Sequence, residues 1–356
     1  MLKVGIIGCG NISHYHYEGF ERAGAQIVHV CDLYRDAAQV VGDRYGARVS
    51  TDYREVMENL DVELVSITTV ASTHKEICLS AIASGKGVVC EKTLTDNPAD
   101  SMEIARASDR AGTFFATAYM KRFFPAVRQA KAMLEDMGEI ISIHARTWQP
   151  WDLWNCSLDN DMTTHPSLIK RKYGGGVLVC GGSHILDLIH YFAGRPNRVC
   201  GTMNVREGMD IDRQVNALLW LENGGIVNLE GCFHPLSYAG YERNGWDERL
   251  EINTTKGRLE LYTVKWDKPT NNGALLIHQD ARTGRSTEYR YEAVNPFNLE
   301  MADMVRSYEA GDQASPSVWD GYVVDELIAH ISTSSEQNSV LDVAWRDSLI
   351  SCGTIA

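Results

Sequence analysis

Apolar positions in the first 120 residues fall into short Val/Ile-rich runs separated by longer stretches of helical period. Leu2 to Ile7 reads as a buried strand and Ile12 to Ala23 as a helix, and Gln26 to Cys31 with Asp36 to Tyr45 repeats the pair. Further strands are expected at Leu64 to Thr68, Val88 to Cys90 and Phe114 to Ala118, with helices at Thr73 to Ser84 and Pro98 to Ala111. Pro98 suits a first helical turn, where its missing N–H costs nothing, and Gly85 and Gly112 suit the left-handed position just past a helix end. This alternation predicts a parallel sheet with helices on both faces. In such sheets ligands gather beyond the carboxyl ends of the strands. Those ends carry Gly8 to Ser13, Asp32, Thr68 to His74, Glu91 to Thr93 and the stretch after Ala118.

Later the period changes. A helix closes over Leu134 to Gly138, and Ile140 to Trp148 alternates like a strand. Strand-like runs recur at Gln214 to Leu221, Gly225 to Cys232, Arg249 to Asn253, Arg258 to Tyr262, Ala274 to Gln279 and Ser286 to Tyr291. Their spacing predicts a large, mostly antiparallel open sheet. Helices at Ser183 to Phe192, Asn298 to Ala310 and Gly321 to Ser335 are expected to cover one face of it. The fold class expected is an α/β domain over residues 1–122 followed by an α+β domain over residues 123–356.

Composition narrows the function. With 356 residues and 44% apolar side chains, the chain can bury two cores. No apolar run approaches the roughly 20 residues that span a bilayer. Met1-Leu2-Lys3 passes directly into a strand, so no secretory signal is expected. A net charge of −13 argues against nucleic acid or an anionic membrane as partner. The densest basic run, Lys170-Arg171-Lys172, reads as a solvated loop. Nine cysteines, several of them inside apolar strands, read as reduced thiols in the cytoplasm.

Gly8-Cys9-Gly10-Asn11-Ile12-Ser13 follows the first strand and opens the first helix. Gly8 allows a tight turn, Gly10 admits a pyrophosphate to the backbone, and Ser13 is small enough for helix–strand packing. The helix N-terminus adds N–H donors for the phosphates. This is a dinucleotide-binding Rossmann domain by pattern. Asp32 ends the second strand about 20 residues on, where an acid accepts from the adenosine ribose and favours NAD. Arg35 is close enough to clamp a 2′-phosphate, which leaves NADP open.

Several segments resemble the glucose–fructose oxidoreductase / inositol dehydrogenase (Gfo/Idh/MocA) family. They are Gly5 to His16, Thr73-His74, Gly85-Lys86-Gly87-Val88-Val89-Cys90-Glu91-Lys92, Arg122-Phe123 with Pro125, and Gly174-Gly175-Gly176 through Gly182-Ser183-His184 to Asp187. The resemblance spans the chain. It implies an NAD(P)-dependent oxidoreductase that transfers a hydride between the nicotinamide and a secondary alcohol of a sugar, cyclitol or sugar derivative. It implies Lys92 on the reacting oxygen and His184 as general acid/base. Asp187, three residues past His184 on the same helix face, is expected to orient His184 or to cap the helix. The expected cofactor residues are Gly8, Gly10, Asn11, Ile12, Asp32, Arg35, Thr69, His74, Glu91 and Lys92. The expected substrate residues are Lys92, Arg122, Trp151, Asp152, His165, Cys180 and His184. No metal is expected, and association through the open sheet implies a homodimer or homotetramer.

Two positions depart from the family pattern. Thr93 replaces the proline after Glu91-Lys92, and Cys180 replaces the acid four residues before the histidine. His190 reads as structural. Trp148, Trp151 and Trp154, near Asp152, Asn155, Asp159 and His165, offer the aromatic faces and polar groups that a polyhydroxylated small molecule needs. Two rival readings stand beside this one. In the first, Cys180, His184 and Asp187, with His165 or His190, are ligands of a metal-dependent hydrolase. In the second, the chain is a non-catalytic NAD-binding sensor of the same fold.

Overall fold

The computed structural model describes residues 1–154, 175–205, 207, 209–266 and 273–345. The chain forms two compact units. The first comprises Met1–Met120 and Pro296–Asp325, and the second Lys121–Asn295 and the chain from Glu326. The division expected from the sequence is 1–122 and 123–356; in the structure Pro296–Asp325 also groups with the first unit.

In the first unit the strands are β1 (Lys3–Ile7), β2 (Gln26–Cys31), β3 (Arg48–Ser50), β4 (Leu64–Ile67), β5 (Gly87–Glu91) and β6 (Phe115–Ala118). The helices between them are α1 (Ser13–Arg22), α2 (Arg35–Tyr45), α3 (Tyr53–Glu58), α4 (Ala71–Ala83) and α5 (Pro98–Ala111). All strands pair in parallel, in the order β3-β2-β1-β4-β5-β6. The order reverses between β1 and β4, the switch point at which doubly wound sheets bind ligands. Val65, Ile67, Ile77, Ala81, Val88, Ile104 and Phe115 pack into one buried cluster, which is why these strands read as continuous apolar runs. Pro98 opens α5, and Gly85 and Gly112 follow their helices at φ +69° and +62°.

Helix α8 (Pro296–Ala310) packs on α1, where Phe297 stacks on Tyr15 with centroids 4.6 Å apart. The expectation that this helix covers the second sheet is thus corrected. Its apolar face meets a helix of the first unit. Helix α9 (Val318–Gln337) begins in the first unit and ends in the second.

The second unit is built on nine strands, β7 (Ile140–Gln149), β8 (Pro196–Val205), β9 (Asp212–Leu221), β10 (Ile226–Phe233), β11 (Asp247–Thr254), β12 (Gly257–Thr263), β13 (Leu275–Asp280), β14 (Ser286–Arg290) and β15 (Leu341–Asp342). Their order is β14-β13-β12-β11-β7-β10-β9-β8-β15, antiparallel throughout except for the β7–β10 pair. Helices α6 (Pro125–Leu134) and α7 (Ser183–Ala193) pack on this sheet. The C-terminal half of α9 lies on β8, where Ser334 Oγ accepts from Gly201 N at 2.9 Å. The mostly antiparallel open sheet is as the alternation predicts.

Candidate functional site

The carboxyl ends of β1, β2 and β4 are stitched together by the backbone. Gly8 N donates to Cys31 O at 2.8 Å, and Thr68 N donates to Ile7 O at 2.8 Å. Thr68 Oγ1 donates to Gly8 O at 2.6 Å. Gly8 has φ +93°, and a Cβ there would lie 2.8 Å from the Thr68 backbone, so only glycine fits. A Cβ on Gly10 would meet nothing within 4 Å, which leaves its backbone open to a ligand. Ser13, buried as packing requires, donates from Oγ to Gly10 O at 2.6 Å.

Asp32 stands at the end of β2. Its Oδ2 accepts from Cys9 N at 2.7 Å and its Oδ1 from Tyr34 N at 2.8 Å. Each carboxylate oxygen keeps a lone pair for a hydroxyl. Arg35 is exposed as the first residue of α2. Burial, followed by the Asp32 charge, pushes the Cys9 thiol up to about 12, so it stays a neutral thiol. An open glycine turn, a helix N-terminus and a held carboxylate fit an adenine dinucleotide.

The segment after β5 carries Lys92, which is half-buried. The Lys92–Thr93 peptide is cis. Glu91, expected to touch the cofactor, points its carboxylate into the protein instead. Oε1 lies 2.9 Å from His16 Nε2, and Oε2 accepts from Lys92 N at 3.0 Å. His74, also expected at the cofactor, is wholly buried. Its Nδ1 is 3.0 Å from Leu94 O and 3.1 Å from Thr93 O, and its Nε2 is 3.2 Å from Thr69 O. Burial lowers its pKa. His74 therefore ties the loop that carries Thr69 to the one that follows Lys92. Thr69 itself is half-buried and accepts from Thr73 Oγ1 at 2.8 Å. Sequence reasoning missed His16, whose partner is 75 positions away.

In the second unit a wide helical turn, Leu178–Gly182, carries Cys180 and leads into α7 with His184 in its first turn. Gly181 lets this turn approach β7, since a Cβ there would sit 2.3 Å from Gln149 Nε2 and 2.7 Å from Thr147 Oγ1. His184 is buried to 7% exposure, and Cys180 is half-buried. Asp187 receives a partner that the sequence did not supply. Arg122 Nε donates to its Oδ2 at 2.9 Å and Arg122 Nη2 to its Oδ1 at 2.5 Å, with both residues buried. The Arg122 guanidinium also lies 4.7 Å from the Tyr191 ring centroid. Arg122, expected to contact substrate, thus clamps α7 from within.

The tryptophans are only partly available to a ligand. Trp154 donates to Phe233 O at 2.5 Å beneath the Arg213 guanidinium, and Trp148 lies under Arg146 and beside His234. Trp151 is half-buried and Asp152 exposed. His165, with Asn155, Asp159, Gly174 and the run 170–172, lies outside the described residues. Among the described residues no three His, Cys, Asp or Glu side chains are grouped to hold a metal, and no helix is long and apolar enough to cross a membrane.

Comparison with known proteins follows this geometry. A family model described as "Oxidoreductase family, NAD-binding Rossmann fold" matches residues 2–119, and one described as "GFO/IDH/MocA C-terminal domain" matches residues 127–260. Inositol 2-dehydrogenase of Salmonella paratyphi B is 24% identical over 332 residues, 90% of each chain. Inositol 2-dehydrogenase 3 of Saccharopolyspora erythraea is 26% identical over 355 residues, 97% of this chain and 96% of that one. A levoglucosan dehydrogenase solved in complex with NADH and levoglucosan matches with TM-score 0.83 at 21% identity, covering 97% of this chain and 100% of that one.

Proposed function

The chain belongs to the Gfo/Idh/MocA family of NAD-binding oxidoreductases, and from that premise we propose that it transfers a hydride between NAD and a secondary alcohol of a cyclitol or sugar. The observation that carries the reading is the set of strand ends in the first unit. An open glycine turn, a held Asp32 carboxylate and Lys92 stand at the carboxyl ends of β1, β2 and β5.

Bound NAD supplies the hydride acceptor or donor. Gly8 to Ile12 with the start of α1 would hold the pyrophosphate, and Asp32 the adenosine ribose. Lys92 donates to the reacting oxygen and stabilises the charge it develops. His184 is the proton-transfer group, on a helix held in register by Arg122 and Asp187. Cys180, one helical turn before His184, would meet the substrate at the position where relatives of the pattern carry an acid. Trp151 and Asp152 would meet hydroxyls on the same substrate. The names of the inositol and levoglucosan dehydrogenases support a polyhydroxylated ring and favour catalysis over a sensor role. A cytoplasmic location and a homodimer or homotetramer belong to the same reading.

The test follows reduced nicotinamide by near-ultraviolet absorbance with inositols, levoglucosan and related sugars, using NAD and NADP in parallel. One of these compounds is expected to drive NAD reduction. In Lys92→Ala, turnover should fall by roughly 10²–10⁴-fold with NAD affinity nearly unchanged. If the variant matched the wild type on the best substrate, Lys92 would have no part in the chemistry.

A further inference from the structure

Three buried side chains outside the proposed chemistry meet behind the lysine. His16 comes from α1, Ser66 from β4 and Glu91 from the end of β5. His16 and Ser66 are 0% exposed and Glu91 5%. His16 Nδ1 lies 2.9 Å from Ser66 Oγ, and His16 Nε2 lies 2.9 Å from Glu91 Oε1. An ionised carboxylate can only accept, so Nε2 carries the proton of that bond. The other carboxylate oxygen accepts from the backbone N–H of Lys92. The Phe297 ring, 6.2 Å from the imidazole, helps close the site from α8. A bridge thus runs from the helix that opens at the cofactor turn, through one carboxylate, to the peptide that bears Lys92.

We infer that His16 is a positioning residue for hydride transfer: by holding the Glu91 carboxylate it fixes the backbone from which Lys92 reaches the reacting oxygen. The inference rests on the function proposed above. The rest of the loop has its own supports. His74 lies against the carbonyls of Thr93 and Leu94, and Thr95 N donates to Asp325 Oδ2 at 2.8 Å. Loss of the His16 bridge therefore loosens Lys92 at its own peptide and leaves the downstream loop attached. Glu91 without its histidine is a buried carboxylate short of one donor, and it will turn toward whatever donor it can reach. Chemistry that depends on a near-attack geometry is sensitive to such a shift, because a displacement of about 1 Å can cost on the order of 100-fold in rate.

Two substitutions separate this role from simple core packing. In His16→Gln the longer side chain places an amide nitrogen near the original Nε2, where it can still donate to Glu91. In His16→Asn the shorter amide lies near the original Nδ1, toward Ser66, and does not reach Glu91. Each variant keeps one of the two contacts, so a purely structural histidine predicts similar melting temperatures and similar turnover in the two. The positioning role predicts that kcat of the Asn variant falls roughly 10- to 100-fold below that of the Gln variant, with the dissociation constant for NAD unchanged in both. It also predicts faster hydrogen exchange at the Lys92 amide in the Asn variant than in the Gln variant. Equal kcat in the two variants, or a loss of NAD binding in the Asn variant, would overturn the inference and leave the functional reading intact. A wild-type protein that binds NAD but oxidises no cyclitol or sugar would sink the functional reading and this inference together.

Discussion

At the scale of single residues, the chemistry is set by side chains whose charge the fold constrains. Asp32 is held at both oxygens by backbone N–H groups of Cys9 and Tyr34. It can accept from a ribose diol without moving, and a 2′-phosphate would meet its fixed charge. NAD is therefore expected to bind more tightly than NADP, and Asp32→Asn to narrow the gap. Fluorescence titration with both cofactors decides it, and a wild-type preference for NADP would show that Arg35 governs the site. A second residue makes stability depend on pH. Burial, reinforced by the Asp96 charge, raises the Asp325 carboxyl to about 8, against donation from Ser101 Oγ and Thr95 N. The unfolded chain ionises this group near pH 4. Folding thus favours the protonated form, and its contribution is full below about pH 4 and lost as pH rises through about 8. The melting temperature of Asp325→Asn relative to wild type should accordingly rise between those limits, and a constant difference would remove Asp325 as the cause. The positions of Gly8 and Asp32 were legible because they follow from a local strand–turn pattern, whereas Lys92 was singled out only by the family resemblance. The Arg122–Asp187 pair was not legible, because its partners are 65 positions apart and only the fold brings them together.

At the scale of elements, periodicity found most strands and helices and failed where an element's pattern is set by a neighbour. β3 and α3 have three and six residues, too few for a period to show. β8 contains Gly201, where a Cβ would come within 2.8 Å of Ile331 of α9, and two register shifts break its alternation. The turn Leu178–Gly182 has a similar constraint at Gly181, which the sequence marks only as one glycine among several. Gly181→Ala would drive a methyl into Gln149 and Thr147 of β7, and either the turn or the strand must give way. Overpacking of this kind costs about 1–3 kcal/mol. The expected result is a lower melting temperature together with a reduced kcat on the best substrate, because the displaced turn carries Cys180 and leads to His184. Retained stability with unchanged turnover would mean that β7 yields locally and the turn stays in place.

At the scale of the whole molecule, the order of elements along the chain misleads about which of them fold together. The apolar face of Pro296–Ala310 was readable, but a helical period says that a face is buried and not what buries it. Chain order assigned this helix to the second sheet, and the structure gives it to the first unit. Gly19 of α1 accepts it closely, since a Cβ there would lie 2.7 Å from Met301 Cγ. Tyr308 packs against Gly87 of β5 and donates to Glu63 O at 3.3 Å. Downstream, Thr117 N donates to Pro316 O at 3.3 Å and Thr117 Oγ1 to Ser317 O at 3.1 Å, which covers the otherwise open edge of β6. Trp319 Nε1 donates to Asp109 at 3.0 Å, fastening the same segment to α5. Residues 1–122 alone would therefore expose an apolar face of α1 and an unpaired strand edge, both routes to aggregation. Expressed by themselves they are expected to bind a hydrophobic dye and to fail to bind NAD in a fluorescence titration. Residues 1–120 joined by a flexible glycine linker to 296–325 should recover a cooperative melt and NAD binding, because every contact named above is then restored. Equal NAD affinity in the two chains would show that the returning segment merely decorates a nucleotide-binding unit that residues 1–122 already complete.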